Sequence, residues 1–237
     1  RRRGIGEARG RFLVFVDDDN VLAPDYLNVV ANIFSKTPEL GMAGGISVPE
    51  FEAPPAEWQR EFFSLLALRD LGPEPQTAAA PEPGAGEPLR YPVSAPIGAG
   101  MALRREAAET WRQAATASRF TDRRGSELTS AGDNDIVLTL FKAGWHAGYF
   151  PTLRLTHLIP AGRLAPDYLA RLNRGIQCSW MQVLARHQAN PWPPIARWTL
   201  PLRQARAWFS YRAWTGAAAH IRWAGACGHF QGRATHC

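Results

Sequence analysis

The run Phe12-Leu13-Val14-Phe15-Val16-Asp17-Asp18-Asp19-Asn20 sets three carboxylates directly behind a short stretch of β-forming apolar residues. Adjacent acids at the end of a buried strand repel one another and are costly to desolvate, so a bound cation is a natural compensation. If the strand continues, Asp17 and Asp19 point to one side. Few, open oxygen ligands suit Mg2+ or Mn2+ held jointly with the phosphates of a substrate. The plainer alternative is a polar turn leading into the helix that follows Pro24. A second constellation, Ser130-Ala131-Gly132-Asp133-Asn134-Asp135-Ile136, puts acids at the start of an apolar-periodic segment. A carboxylate held by the N–H groups of a helix N-terminus stays ionised and keeps its direction, so it can take the proton of an attacking hydroxyl; it can equally be an ordinary N-cap.

The elements that must position these acids follow from periodicity and turn chemistry. Residues 4–11 look like a helix end and a turn, and 12–16 a buried strand. A helix is expected over 24–34, with Leu27, Val30, Ile33 and Phe34 toward a core. Residues 41–48 suit a second strand and 58–71 a helix, while the Pro-, Gly- and Ala-rich 72–92 is a loop long enough to be a functional flap. Gly98 and Gly100 precede a helix running from Arg104 to about Trp111. A capped helix over 131–143 is closed by Gly144. Strands over 146–150 and 153–158 follow, then a helix over 166–186 with Leu169, Leu172, Ile176, Trp180 and Val183 on one stripe.

Composition sets the limits. With 237 residues, 46% hydrophobic and 20% charged, the chain is a globular protein large enough to bury its own core without disulfides or a structural metal. No apolar run approaches the roughly 18 residues of a spanning helix. Cys178, Cys227 and Cys237 match neither a disulfide framework nor a zinc site, which points to a reducing, cytoplasmic setting. Lys36 and Lys142 are the two lysines, which removes most lysine-based chemistry. The net charge of +6 is unevenly spread, because residues 160–237 hold ten arginines and one acid, Asp167. Five of the nine tryptophans lie in 190–237, among Arg197, Arg203, Arg206, Arg212 and Arg222. That mixture fits an interfacial helix on an anionic membrane surface, or equally tryptophans packed on the domain with arginines in water. No nucleic-acid motif accompanies the basic charge, so nucleic acid is not an expected partner.

Taken in order, the motifs resemble the family 2 glycosyltransferases with the GT-A fold. Phe15 to Leu27 looks like that family's DxD segment with its following helix, and Ile97 to Glu106 like its acceptor-side segment. Gly132-Asp133-Asn134-Asp135-Ile136 with Lys142 to Trp145 is similar to the ED motif and its helix end. Thr156-His157 to Pro160, with Arg163-Leu164, resembles the His-containing strand beyond it. The resemblance covers about residues 1–190. It implies an α/β fold, a GT-A-like (Rossmann-like) mixed sheet flanked by helices, with a catalytic domain over 1–189 and an Arg/Trp-rich helical tail over 190–237. It further implies a metal-dependent, inverting transfer of sugar from a nucleotide-diphosphate donor to a hydroxyl of a glycan or lipid-linked acceptor. Asp19, Asp17 and His157 would hold Mg2+ or Mn2+, Asp18 and Arg163 would serve the donor diphosphate, Asp133 would be the general base, and Gly98, Gly100 and Asp135 would meet the acceptor.

The chain departs from the family pattern in two places. Gly132 stands where the ED motif has Glu, and sixteen residues precede Asp17 where the family has a βαβ portion for the nucleotide base. The expectation is a fragment lacking that first portion and inactive alone. Two other readings compete. The strand with Asp17-Asp18-Asp19-Asn20-Val21 also resembles the opening of haloacid-dehalogenase-type phosphatases, yet no lysine occurs between Lys36 and Lys142, where those enzymes need one. The basic C-terminal third alone would suit a non-catalytic module binding membranes or polyanions.

Overall fold

The computed structural model describes residues 1–82, 89–114 and 132–234. These form two compact units: one of residues 1–50, 67–82, 89–114 and 135–159, the other of 51–66, 132–134 and 160–234. The division falls after Asn134, inside a helix. The helix over 166–186 clusters with the tail helices.

The first unit is built on a six-stranded sheet. Its elements are α1 (Arg2–Glu7), β1 (Phe12–Val14), β2 (Asn20–Leu22), α2 (Tyr26–Lys36), β3 (Leu40–Phe51), β4 (Gln76–Ala78), β5 (Ala102–Arg104), α3 (Arg105–Ala114), α4 (Gly132–Lys142) and β6 (His146–Ile159). The strand order is β1-β5-β3-β6-β2, with β4 also on β6. One apolar cluster joins Leu13, Met42, Met101 and Leu103 of the sheet region to Trp111, Ile136, Val137 and Leu140 of α3 and α4. A second joins Tyr26, Val30 and Phe34 of α2 to Leu40, Ala43 and Leu153.

Several boundaries differ from the sequence expectation for identifiable reasons. α2 starts two residues beyond Pro24, and the register this sets puts Tyr26 into the core while Leu27 is 63% exposed. The helix expected over 58–71 is 3-10 in type, spans Glu57–Leu66 and stops at Ala67, whose φ is +55°. The expected loop over 72–92 contains the edge strand β4, and 83–88 lie outside the described residues. The two strands expected over 146–158 are one, β6, which pairs through Tyr149 with Gln76 and through His157 with Asn20. α4 ends as expected. Gly144, at φ +92°, takes the left-handed position, and Gly144 and Trp145 donate back to Phe141 and Leu140.

The second unit is helical: 3-10 turns at Glu57–Leu66, Ala161–Leu164 and Arg197–Thr199, with α5 (Pro166–Arg186), α6 (Leu200–Ser210) and α7 (Ala217–Ala234). α5 and α7 approach closely because α7 presents glycine where they meet. A Cβ on Gly228 would stand 2.1 Å from the Arg174 carbonyl oxygen, and one on Gly232 2.4 Å from that of Cys178. Hydrogen bonds cross the same seam, among them Asn173 Nδ2 to the Ile221 carbonyl (2.9 Å) and Arg174 Nε to Gln231 Oε1 (2.9 Å). α6 ends in the same hydrogen-bond pattern as α4, but Arg212 occupies the left-handed position at φ +49°. Arg212 therefore lies beyond the helix.

Candidate functional site

The acid cluster sits in a turn. Backbone pairing of β1 with β5 continues through Phe15, which donates to Met101 (2.9 Å) and accepts from Gly100 (3.0 Å). The chain then reverses, with Asn20 N–H bonding the Asp17 carbonyl at 3.0 Å. The strand does not continue through the acids, so the condition for Asp17 and Asp19 to point to one side is not met; β2 begins at Asn20 and was not foreseen. Asp17 and Asp18 are exposed, whereas Asp19 is partly covered. Its carbonyl accepts from Leu158 N–H (2.8 Å), and its Oδ1 accepts from Asn20 Nδ2 (3.1 Å).

The β2–β6 ladder brings His157 to this turn. His157 lies opposite Asn20, is 4% exposed, and sets its Nε2 3.4 Å from Asp19 Oδ2. Residues 138 positions apart in the sequence thus share one locus. Their donor set suits a cation that keeps several ligands of its own. Asp19 offers a carboxylate oxygen and His157 an imidazole nitrogen. Asn20 Oδ1 beside them is buried without a hydrogen bond among the described residues. No group of three or more His, Cys, Asp or Glu suited to a metal occurs among the described residues, so a divalent ion here would draw further ligands from substrate phosphates and water, as Mg2+ commonly does.

The remaining candidates are distributed differently. Gly100 has φ +73°, and a Cβ there would meet Leu155 at 2.5 Å and the Tyr26 hydroxyl at 2.7 Å. That hydroxyl donates to the Gly100 carbonyl at 2.6 Å, and its burial pushes its pKa up, so it remains a neutral donor. Gly98 and Gly100 are both buried. Asp135 is 3% exposed and accepts from the indole of Trp111 at 3.0 Å. Asp133 lies in the first turn of α4 and is partly exposed, inside the helix rather than capping it. Arg163 lies in the 3-10 turn Ala161–Leu164 of the second unit. Arg104, in the expected acceptor-side segment, instead caps α2: its guanidinium bonds the carbonyls of Leu40 (3.1 Å), Phe34 (2.6 Å) and Thr37 (3.0 Å).

Sequence reasoning missed one polar network altogether. Arg69 donates to the carbonyls of Ala95 and Val93 and lies 5.8 Å from the Tyr149 ring. Tyr149 in turn reaches Asp70 (3.3 Å) and the Gly72 carbonyl (3.1 Å). Burial lowers the Arg69 pKa and raises that of Tyr149. No spacing rule links these residues, so no signal in the sequence marks them.

The sheet flanked by helices defines an α/β protein, and its acids and buried histidine meet at the end of a strand. The chain belongs to the family described as "Glycosyltransferase like family 2", whose model matches residues 2–177. Its fold is GT-A-like, and the activity the family indicates is glycosyl transfer. No curated protein matches the sequence. Family membership displaces the phosphatase reading.

Proposed function

We propose that the chain carries the metal-binding and base residues for transfer of a sugar from a nucleotide-diphosphate donor to a hydroxyl of a glycan or lipid-linked acceptor, with inversion. The observation that supports this is the pairing of Asp19 with His157 at the β1–β2 turn of a family 2 chain. A divalent cation held by Asp19 and His157, with Asp17 within the same turn, would supply charge neutralisation on the departing diphosphate. Asp133 accepts the proton of the acceptor hydroxyl as its oxygen bonds the anomeric carbon and the bond to the diphosphate oxygen breaks. Asp18 and Arg163 serve the donor side.

Calorimetric titration with a nucleoside diphosphate, with and without Mn2+, tests the reading. Binding that needs Mn2+ and weakens at least tenfold in Asp19→Asn is expected. Binding indifferent to both Mn2+ and Asp19 would sink the proposal.

A further inference from the structure

The basic tail is not one uniform surface. α7 is largely covered, with Ile221, Ala224, Cys227 and Ala234 buried. α6 divides lengthwise. On one side Ala207 is buried, Trp208 packs edge-on against Trp223 at 4.9 Å, and Trp223 Nε1 donates to the Gln204 carbonyl. On the other, Leu202, Arg206 and Phe209 follow at i, i+4 and i+7, and Leu202 and Phe209 are 73% and 68% exposed. Trp198 in the preceding turn is 82% exposed, and Trp214 beyond the helix packs against Phe209 with ring centroids 5.9 Å apart. Exposed Arg197, Arg203, Arg206 and Arg212 stand among these side chains. No acid occurs anywhere from residue 168 to residue 237.

From this we infer that residues 197–214 form an interfacial surface that seats on an anionic lipid bilayer. Large exposed apolar side chains in a soluble unit need a cover. Aromatic rings and guanidinium groups on one helix face match the boundary where acyl chains meet phosphate: rings enter the interface and arginines fork onto headgroup oxygens. A protein partner would need a strongly acidic complementary face, whereas a leaflet containing anionic lipid supplies negative charge at any orientation. No helix among the described residues is long and apolar enough to cross a membrane, so the contact is parallel to the surface. The inference stands independently of the sugar-transfer proposal.

Sedimentation of the whole chain with vesicles tests it, comparing phosphatidylcholine alone with a 70:30 mixture of phosphatidylcholine and phosphatidylglycerol at about 50 mM and 500 mM salt. Binding to the mixed vesicles at low salt is expected, with loss at high salt and little binding to the neutral ones. Each arginine near the surface is worth about fivefold in affinity (about 1 kcal/mol), so Arg203→Gln with Arg206→Gln should weaken binding roughly thirtyfold. Arg206→Lys should retain most of it. Trp198→Ala with Phe209→Ala, both at exposed positions, should also release the protein while leaving the far-ultraviolet circular dichroism unchanged. Absence of binding at low salt overturns the inference. So does undiminished binding of the Trp198/Phe209 variant that heparin competes away, since that marks a general polyanion patch.

Discussion

The indole of Trp111 donates to Asp135 Oδ2 at 3.0 Å, joining α3 to the first turn of α4 inside the core. Residues two apart on a helix project about 200° around its axis from one another. With Asp135 fixed inward, Asp133 points to another side of the helix, and one short acidic motif yields one buried carboxylate and one partly exposed one. Asp135→Ala should destabilise the protein by about 1–3 kcal/mol, because the indole N–H is left buried without its acceptor. Asp135→Asn, which keeps a carbonyl acceptor, should cost less. Denaturant titration of the two variants measures the difference.

Asp133 and His157 should separate kinetically. Asp133→Asn should lower the rate of sugar transfer by about 10²- to 10⁴-fold while leaving nucleoside diphosphate affinity unchanged. His157→Ala should weaken Mn2+-dependent binding without touching stability at the α4 end. Binding titrations beside single-turnover rates would show whether both readouts move together, which would contradict the division of labour.

Gly228→Ala should loosen the second unit. The added methyl would lie 2.1 Å from a backbone oxygen of α5, which cannot swing away as a side chain does. A loss of about 1–3 kcal/mol is expected, against almost none for Gly162→Ala, where nothing lies within 4 Å. Thermal unfolding of the two variants provides the comparison.

Acid should act on the second unit through Glu61. Arg222 forks onto its carboxylate at 2.6 and 2.5 Å and holds its pKa below the ordinary value. A group depressed in the folded state contributes stability above its unfolded pKa, near 4.3 for Glu, and loses it as pH falls through the folded value. Both side chains are about half exposed, so the contribution is at most about 1 kcal/mol after screening by water. Wild type should therefore lose more stability than Glu61→Gln between pH 6 and pH 3, and high salt should narrow the gap.

Local chemistry made much of this legible. Pro166 and the apolar stripe of α5 mark that helix, and Gly144 marks the end of α4, because both signals act within a few residues. What escaped depended on partners far along the chain. The strand β2 is three residues long and exists only because β6 pairs with it. The inward turn of Asp135 depends on Trp111, and the role of Gly100 on Tyr26. The tail's tryptophans could be apportioned between core and surface only once Trp208 and Trp223 were seen packed together, leaving Trp198 and Trp214 outside.

The fourteen-residue β6 carries Tyr149 near one end and His157 near the other without a break. Deleting a single residue between them would force the ladder to choose which end to keep in step. If the β4 end held, Leu158 would arrive opposite Asn20 and the imidazole would swing to the opposite face. Length variation in relatives should therefore accumulate in the connections flanking this strand, while the spacing from Tyr149 to His157 behaves as a ruler.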